Sequence, residues 1–212
     1  MVKTGSTLLI ACGALAREML ALKAAHGWKS LDITCLPAIW HNTPQKIPEG
    51  VRRKIRAGRK THEHILVAYG DCGSGGILDK VLAEEGVERI DGPHCYQFYA
   101  GTANFEAMMA AEPGSFFLTD YIVRHFDRLI VRGLGLDRHP ELRDDYFGNY
   151  KRVVYLAQIE DPQLKAKAEE AARRLGLAFE YRLTAYGELE TFMTKAAEGT
   201  ARHGAADRRL LA

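Results

Sequence analysis

The chain holds four cysteines, and three of them stand where an apolar run breaks into a loop. Cys12 follows Leu8 to Ala11, Cys72 comes shortly after Ile65 to Tyr69, and Cys95 lies just past Val87 to Ile90. Thiolates are soft metal donors, and they are nucleophiles where their pKa is lowered. The carboxyl ends of parallel strands are where open α/β sheets carry ligands. Three thiols far apart in sequence are therefore expected to meet at one sheet edge. Cys35 lies inside an alternating run closed by Pro37, and is expected to be a small core residue rather than a ligand.

Cys12, Cys72 and Cys95 are the expected metal ligands, although none has the short Cys-x-x-Cys spacing of a zinc knuckle. His41, in Trp40-His41-Asn42-Thr43-Pro44, or His94, directly before Cys95, would complete a closed four-ligand zinc centre. Without a fourth ligand, three thiolates leave the open position that a Lewis-acid or thiol-activating zinc uses. Three cysteines equally hold a four-iron cluster with one iron free, so zinc and a [4Fe-4S] cluster both stand as cofactors. Metal-free thiol chemistry and inert packing are the competing readings. His41 and Asp71 are the candidate catalytic residues, the first orienting substrate or ligating, the second serving as acid, base or loop cap. Asp120 has the same two roles open to it.

Gly13, after Cys12, and Gly73, Ser74 and Gly75, after Cys72, are expected to bind a cofactor by letting backbone approach it. Helix-start amides would be left free to point at the bound group. The second loop lacks a Walker lysine, and Cys12-Gly13-Ala14 with Ala16 departs from Gly-x-Gly-x-x-Gly, which argues against a nucleotide. Tyr96, Phe98 and Tyr99 either wall a pocket or fill the core.

The elements that must position these residues alternate. Strands are predicted over 7–11, 31–36, 64–69, 87–90, 115–118, 153–158 and 178–183. Helices are predicted over 13–25, 49–60, 77–85, 102–111, 121–132, 162–175 and 187–197. His26-Gly27, Gly86 and Gly176 stop helices. Such alternation gives an α/β class with a mostly parallel sheet flanked by helices, Rossmann-like and three-layered. One domain over 1–197 is expected, with a polar tail over 198–212.

A formal charge of +2 over 212 residues gives no footprint for nucleic acid or membrane. Arg52, Arg53, Lys54, Arg56, Arg59 and Lys60 form a local basic segment, either a solvated helix face or a dock for an acidic partner. Arg17 and Glu18 interrupt the first apolar run, which does not suit a signal peptide. The expected compartment is the cytoplasm, where cysteines are ligands, nucleophiles or core residues more often than disulfides.

Leu9 to Leu15, His41-Asn42-Thr43-Pro44, Tyr69 to Gly73 and His94-Cys95-Tyr96 together resemble the uncharacterised bacterial and archaeal family called domain of unknown function 1638, over roughly Leu8 to Met193. Members are often encoded beside corrinoid-dependent methyltransferase components. The resemblance implies a role in methyl transfer or its support and carries over no catalytic residues. The expected function is thus a metal-dependent protein of one-carbon or sulfur chemistry acting on a small molecule. The alternative is a non-catalytic accessory or metal-delivery protein that docks on a corrinoid protein or methyltransferase.

Overall fold

In the computed structural model the described residues are 3–199. They divide into two compact units, one running up to Phe98 and resuming at Glu188, the other Tyr99–Gly187. Most of the tail expected over 198–212 lies outside the described residues. The α/β class holds, with only parallel strand pairs. The strands do not join one sheet, however; they form two.

The first unit carries β1 (Lys3–Cys12), β2 (Leu31–Leu36), β3 (His62–Ala68) and β4 (Glu88–Arg89), ordered β2-β1-β3-β4. β1 is central, and its Leu9, Ile10 and Ala11 are wholly buried. A strand covered on both faces needs an unbroken apolar run, which explains Leu8 to Ala11. Cys12 is in register with Leu36, and Ala11 with both Cys35 and Ala68, so β1, β2 and β3 end level with one another. β4 has two residues, and this short edge is where the sheet stops.

Helices α1 (Ala16–His26), α2 (Ile47–Gly58), α3 (Ile77–Glu85) and α9 (Gly187–Glu198) flank that sheet. The Thr7 hydroxyl donates to the Ala196 carbonyl at 3.1 Å, which ties α9 to β1. α2 packs on α3, and there the basic segment finds its counter-charge. Glu85, buried, accepts from Arg52, Arg56 and Arg59 at 3.2, 2.9 and 2.7 Å. Arg52 also reaches Glu49 and Glu84, and Lys54 donates to Thr34. Three of the six basic residues thus share one buried carboxylate, while Arg53, Arg56, Arg59 and Lys60 remain exposed.

The second unit carries β5 (Ser115–Thr119), β6 (Arg152–Ala157) and β7 (Ala178–Leu183) in that order. Its core gathers Leu118, Val153 and Tyr155 from the sheet with Leu164, Ala168 and Leu175 from α8 (Pro162–Leu175). α5 (Thr102–Ala111) precedes β5, and α7 (Leu142–Phe147) lies in the expected excursion over 133–148. The helix predicted over 121–132 is split into α6 (Asp120–Arg124) and a π turn, Asp127–Val131, closed by Arg132 N–H donating to the Asp127 carbonyl at 2.8 Å. No described helix is long and apolar enough to cross a membrane.

Candidate functional site

Because β1, β2 and β3 run parallel and end level, the segments that leave them share one edge of the first sheet. Cys12 ends β1 and is 3% exposed. His41 lies on a 3-10 turn, Ala38–Asn42, beyond β2. Tyr69 comes directly after β3 and is wholly buried, and Cys72 stands three residues later. Cys95 opens α4 (Cys95–Ala100), a helix that the apolar pattern does not predict.

Close backbone packing brings these segments together. A Cβ on Gly13 would lie 2.9 Å from the Leu36 carbonyl oxygen, and one on Gly70 would lie 2.7 Å from that of Pro93. Both positions thus need glycine so that neighbouring strand ends can touch. The Cys72 N–H also donates to the Pro93 carbonyl at 3.1 Å, which joins the β3 loop to the segment leading into Cys95. Cys72 is held at φ +48°, in the left-handed region. For a residue with a Cβ that conformation costs about 1 kcal/mol or more, and such strain persists where surrounding contacts fix it.

The His41 Nδ1 is 3.8 Å from the Cys12 Sγ and 3.3 Å from the Ala38 carbonyl oxygen. Its pKa is raised, first by hydrogen bonding with Cys72, against the opposing effect of burial. The imidazole therefore answers to two of the three cysteines. Burial pushes the Cys12 thiol up, while the Ala14 N–H donating to its sulfur at 3.4 Å pulls the other way. The Cys95 thiol is pushed up further, by burial and then by the charges of Cys72 and Cys12. Cys95 thus feels Cys72 and Cys12 from the start of α4 rather than from a strand end. Cys35 is within that field as well, since burial and then the Cys12 charge raise its pKa.

Tyr69 is a residue that sequence reasoning missed. Its hydroxyl is buried and has no strong hydrogen-bond partner among the described residues. Burial, followed by the charge of Cys12, hydrogen bonding with the Cys12 thiol and the charges of Cys72 and Cys35, keeps it protonated. The available signal was a hydroxyl-bearing side chain closing the apolar run Ile65 to Ala68. A buried hydroxyl normally has a strong partner, and here the Cys12 thiol, a weak hydrogen-bonding group, is what Tyr69 interacts with.

The glycine loop after Cys72 departs from expectation. Asp71 Oδ1 accepts from the Ser74 hydroxyl at 2.6 Å and from Gly76 N–H at 2.8 Å, and Oδ2 accepts from Gly75 N–H at 3.2 Å. These bonds, that to Ser74 foremost, hold the Asp71 carboxyl below its usual range. The Gly75 amide and the Ser74 hydroxyl, expected to meet a cofactor, are turned inward on Asp71 instead. Gly73 is held at φ +84°, and a Cβ there would lie 3.5 Å from the Pro44 ring. Asp71 therefore braces the loop that presents Cys72. His94 is exposed, with its ring centroid 6.1 Å from that of Tyr96. Phe98 and Tyr99 are buried as core.

Among the described residues, no group of three His, Cys, Asp or Glu side chains stands in an arrangement ready to hold a metal ion. The donor types at this edge nevertheless suit a soft metal, with three thiols and an imidazole beside a buried hydroxyl. The family described as "Protein of unknown function (DUF1638)" matches residues 35–193. That span includes Cys35, His41, Cys72 and Cys95 and leaves out Cys12, so it is shorter at the N-terminal end than the resemblance. No curated protein matches the chain.

Proposed function

The chain belongs to the DUF1638 family of proteins of unknown function, and we propose that it is a metal-dependent protein of one-carbon or sulfur chemistry. Cys12, Cys72 and Cys95 would hold zinc or an iron–sulfur cluster, with His41 beside them, and the setting would be corrinoid-linked methyl transfer on a small molecule in the cytoplasm. One observation carries this reading: Cys12 ends β1 with its sulfur 3.8 Å from the His41 Nδ1, and the Cys72 N–H donates to the Pro93 carbonyl at 3.1 Å, which ties the loop after β3 to the segment that leads into Cys95. A metal there would keep a thiol as thiolate and raise its readiness to accept a methyl group.

The chain's own residues have separable parts. Cys72 presents its sulfur from a strained loop that Asp71 and Ser74 brace. His41 holds or yields a proton at Nδ1 beside Cys12 and Cys72. Tyr69, whose hydroxyl interacts with the Cys12 thiol, would donate its proton to a thiolate or to a bound substrate. Because the pKa of His41 rises through Cys72, a metal-free thiolate–imidazolium pair is the second reading. The accessory reading would use the basic segment 52–60, whose Arg56 and Arg59 pair with Glu85 yet stay exposed.

Metal analysis of protein purified without oxygen tests the proposal. Near-stoichiometric zinc in a colourless protein, or iron with acid-labile sulfide in a brown one, supports it. Cys72→Ala should then lose the metal and Cys35→Ala keep it. Folded protein that takes up neither zinc nor iron on reconstitution refutes the metal and leaves the Cys72–His41 pair. Turnover with methyl donors separates enzyme from accessory protein, because an accessory stimulates a partner methyltransferase and is inert alone.

A further inference from the structure

The second unit holds a polar centre built from other residues. Asp120, 1% exposed at the end of β5, accepts at Oδ1 from the Tyr155 hydroxyl at 2.8 Å and from Gln158 N–H at 3.0 Å. Gln158 Oε1 accepts in return from Asp120 N–H at 2.8 Å. The other carboxylate oxygen faces the Arg124 guanidinium at 3.6 Å. A buried carboxylate thus faces Arg124, whose Nε is itself buried and without a hydrogen-bond partner among the described residues.

Arg124 lines a cavity of about 600 Å³ together with Arg128, Arg132, Lys167 and Arg174. Two carboxylates, Asp127 and Glu170, also line it. Both are engaged, Asp127 with Arg174 at 2.6 Å and Glu170 with Arg173. Arg128 reaches only the Tyr121 hydroxyl, at 3.3 Å, and among the described residues Arg128, Arg132 and Lys167 have no ion pair. His125 shows the resulting field, since burial, then Arg128 and Arg124, lower its pKa. The π turn Asp127–Val131 also falls here, with Arg128 inside it and Arg132 at its end. Turns of this kind re-aim side chains and recur at functional sites.

We propose that this groove binds a small phosphate-bearing polyanion of the diphosphate class. Its volume falls in the range of small-molecule sites. Three unpaired cations from the π turn and α8, beside the Arg124 guanidinium that faces Asp120, ask for oxygens in several directions. A tetrahedral phosphoryl group offers these, whereas a carboxylate offers two in one plane. The floor of Val123, Phe126 and Ala171 is apolar and buried, so the charges are spread over the walls.

Isothermal titration of the full chain with sodium pyrophosphate tests this, with citrate as the carboxylate control. The expected result is saturable one-to-one binding that weakens as salt is added. Arg128→Ala, Arg132→Ala and Lys167→Ala should each weaken it about tenfold, the loss of one charge-assisted hydrogen bond. These side chains are exposed, so the substitutions leave the core intact, and Lys80→Ala in the other unit should change nothing. Absence of saturable pyrophosphate binding at low salt, equal affinity for citrate, or binding indifferent to all three substitutions would each overturn the assignment.

Discussion

Tyr69→Phe separates a site awaiting a ligand from a mere packing flaw. Tyr69 is 0% exposed and its hydroxyl has no strong hydrogen-bond partner among the described residues. An unpaired buried hydroxyl costs about 1–3 kcal/mol, and the weak Cys12 thiol offsets part of this. Phenylalanine keeps the ring and removes the hydroxyl, so the metal-free variant should be more stable by about 1–2 kcal/mol. For a chain of this size each kcal/mol raises Tm by about 2–4 °C. The loaded protein should reverse the sign, because the lost hydroxyl would otherwise donate to a thiolate, a bond of about 1.5–3 kcal/mol. Tyr69→Phe should then bind zinc about tenfold or more weakly. Urea unfolding with and without chelator, alongside zinc titration, measures both arms. If chelated Tyr69→Phe is less stable than the parent, the hydroxyl has a strong partner and the argument fails. Equal stabilisation with and without metal would mean that it faces no ligand.

His41→Ala should lower metal content if His41 ligates, and lower turnover at unchanged metal content if it positions substrate; no change in metal, turnover or affinity would reduce the site to its cysteines. The raised His41 pKa favours the imidazolium in the folded state, so its stabilising effect is present below the ordinary value of about 6.5 and is lost as pH rises through the folded pKa. Unfolding curves on either side of neutrality should therefore show a smaller pH dependence in His41→Ala. At Glu85, burial raises the pKa but Arg56, Arg59 and Arg52 outweigh it, and the net shift is downward. Its contribution is present above the ordinary carboxylate value of about 4.3 and lost as pH falls through the folded pKa. Glu85→Gln should be less stable at neutral pH and lose less on acidification; an unchanged acid limb in urea unfolding would contradict the network's role.

The features legible in the sequence are those that hydrophobic pattern alone decides. The run from Leu8 to Ala11 is wholly or nearly buried, and a strand buried on both faces of a parallel sheet has to be apolar throughout. Cys12 and the loop that carries Cys72 leave β1 and β3 at one edge, as such runs imply, whereas Cys95 opens a helix that they do not imply. Pattern does not report which strands pair. A two-residue β4 ends the first sheet, and β5 turns to β6 instead, which the spacing of apolar runs does not reveal. The 121–132 segment reads as one amphipathic helix because a π turn keeps nearly the same apolar periodicity while shifting one hydrogen bond.

The roles of polar groups were less legible, because they depend on partners distant in the chain. Arg52, Arg56 and Arg59 look like a free basic face until Glu85 is brought against them. Gly73 to Gly75 look like a cradle until Asp71 takes up the Ser74 hydroxyl and the Gly75 amide. Tyr69 looks like one more buried aromatic until its hydroxyl is seen to lack a strong partner. Cys12 is the opposite case. It lies outside the span matched by the family, residues 35–193, yet it ends the central strand, 3.8 Å from the His41 Nδ1, and its charge raises the pKa of Cys95, Tyr69 and Cys35. A family pattern would pass over this thiol, whereas the parallel register of β1 against β2 and β3 places it at the strand-end edge beside His41. The proposed shared site therefore turns on Cys12, the thiol whose place is set by sheet register.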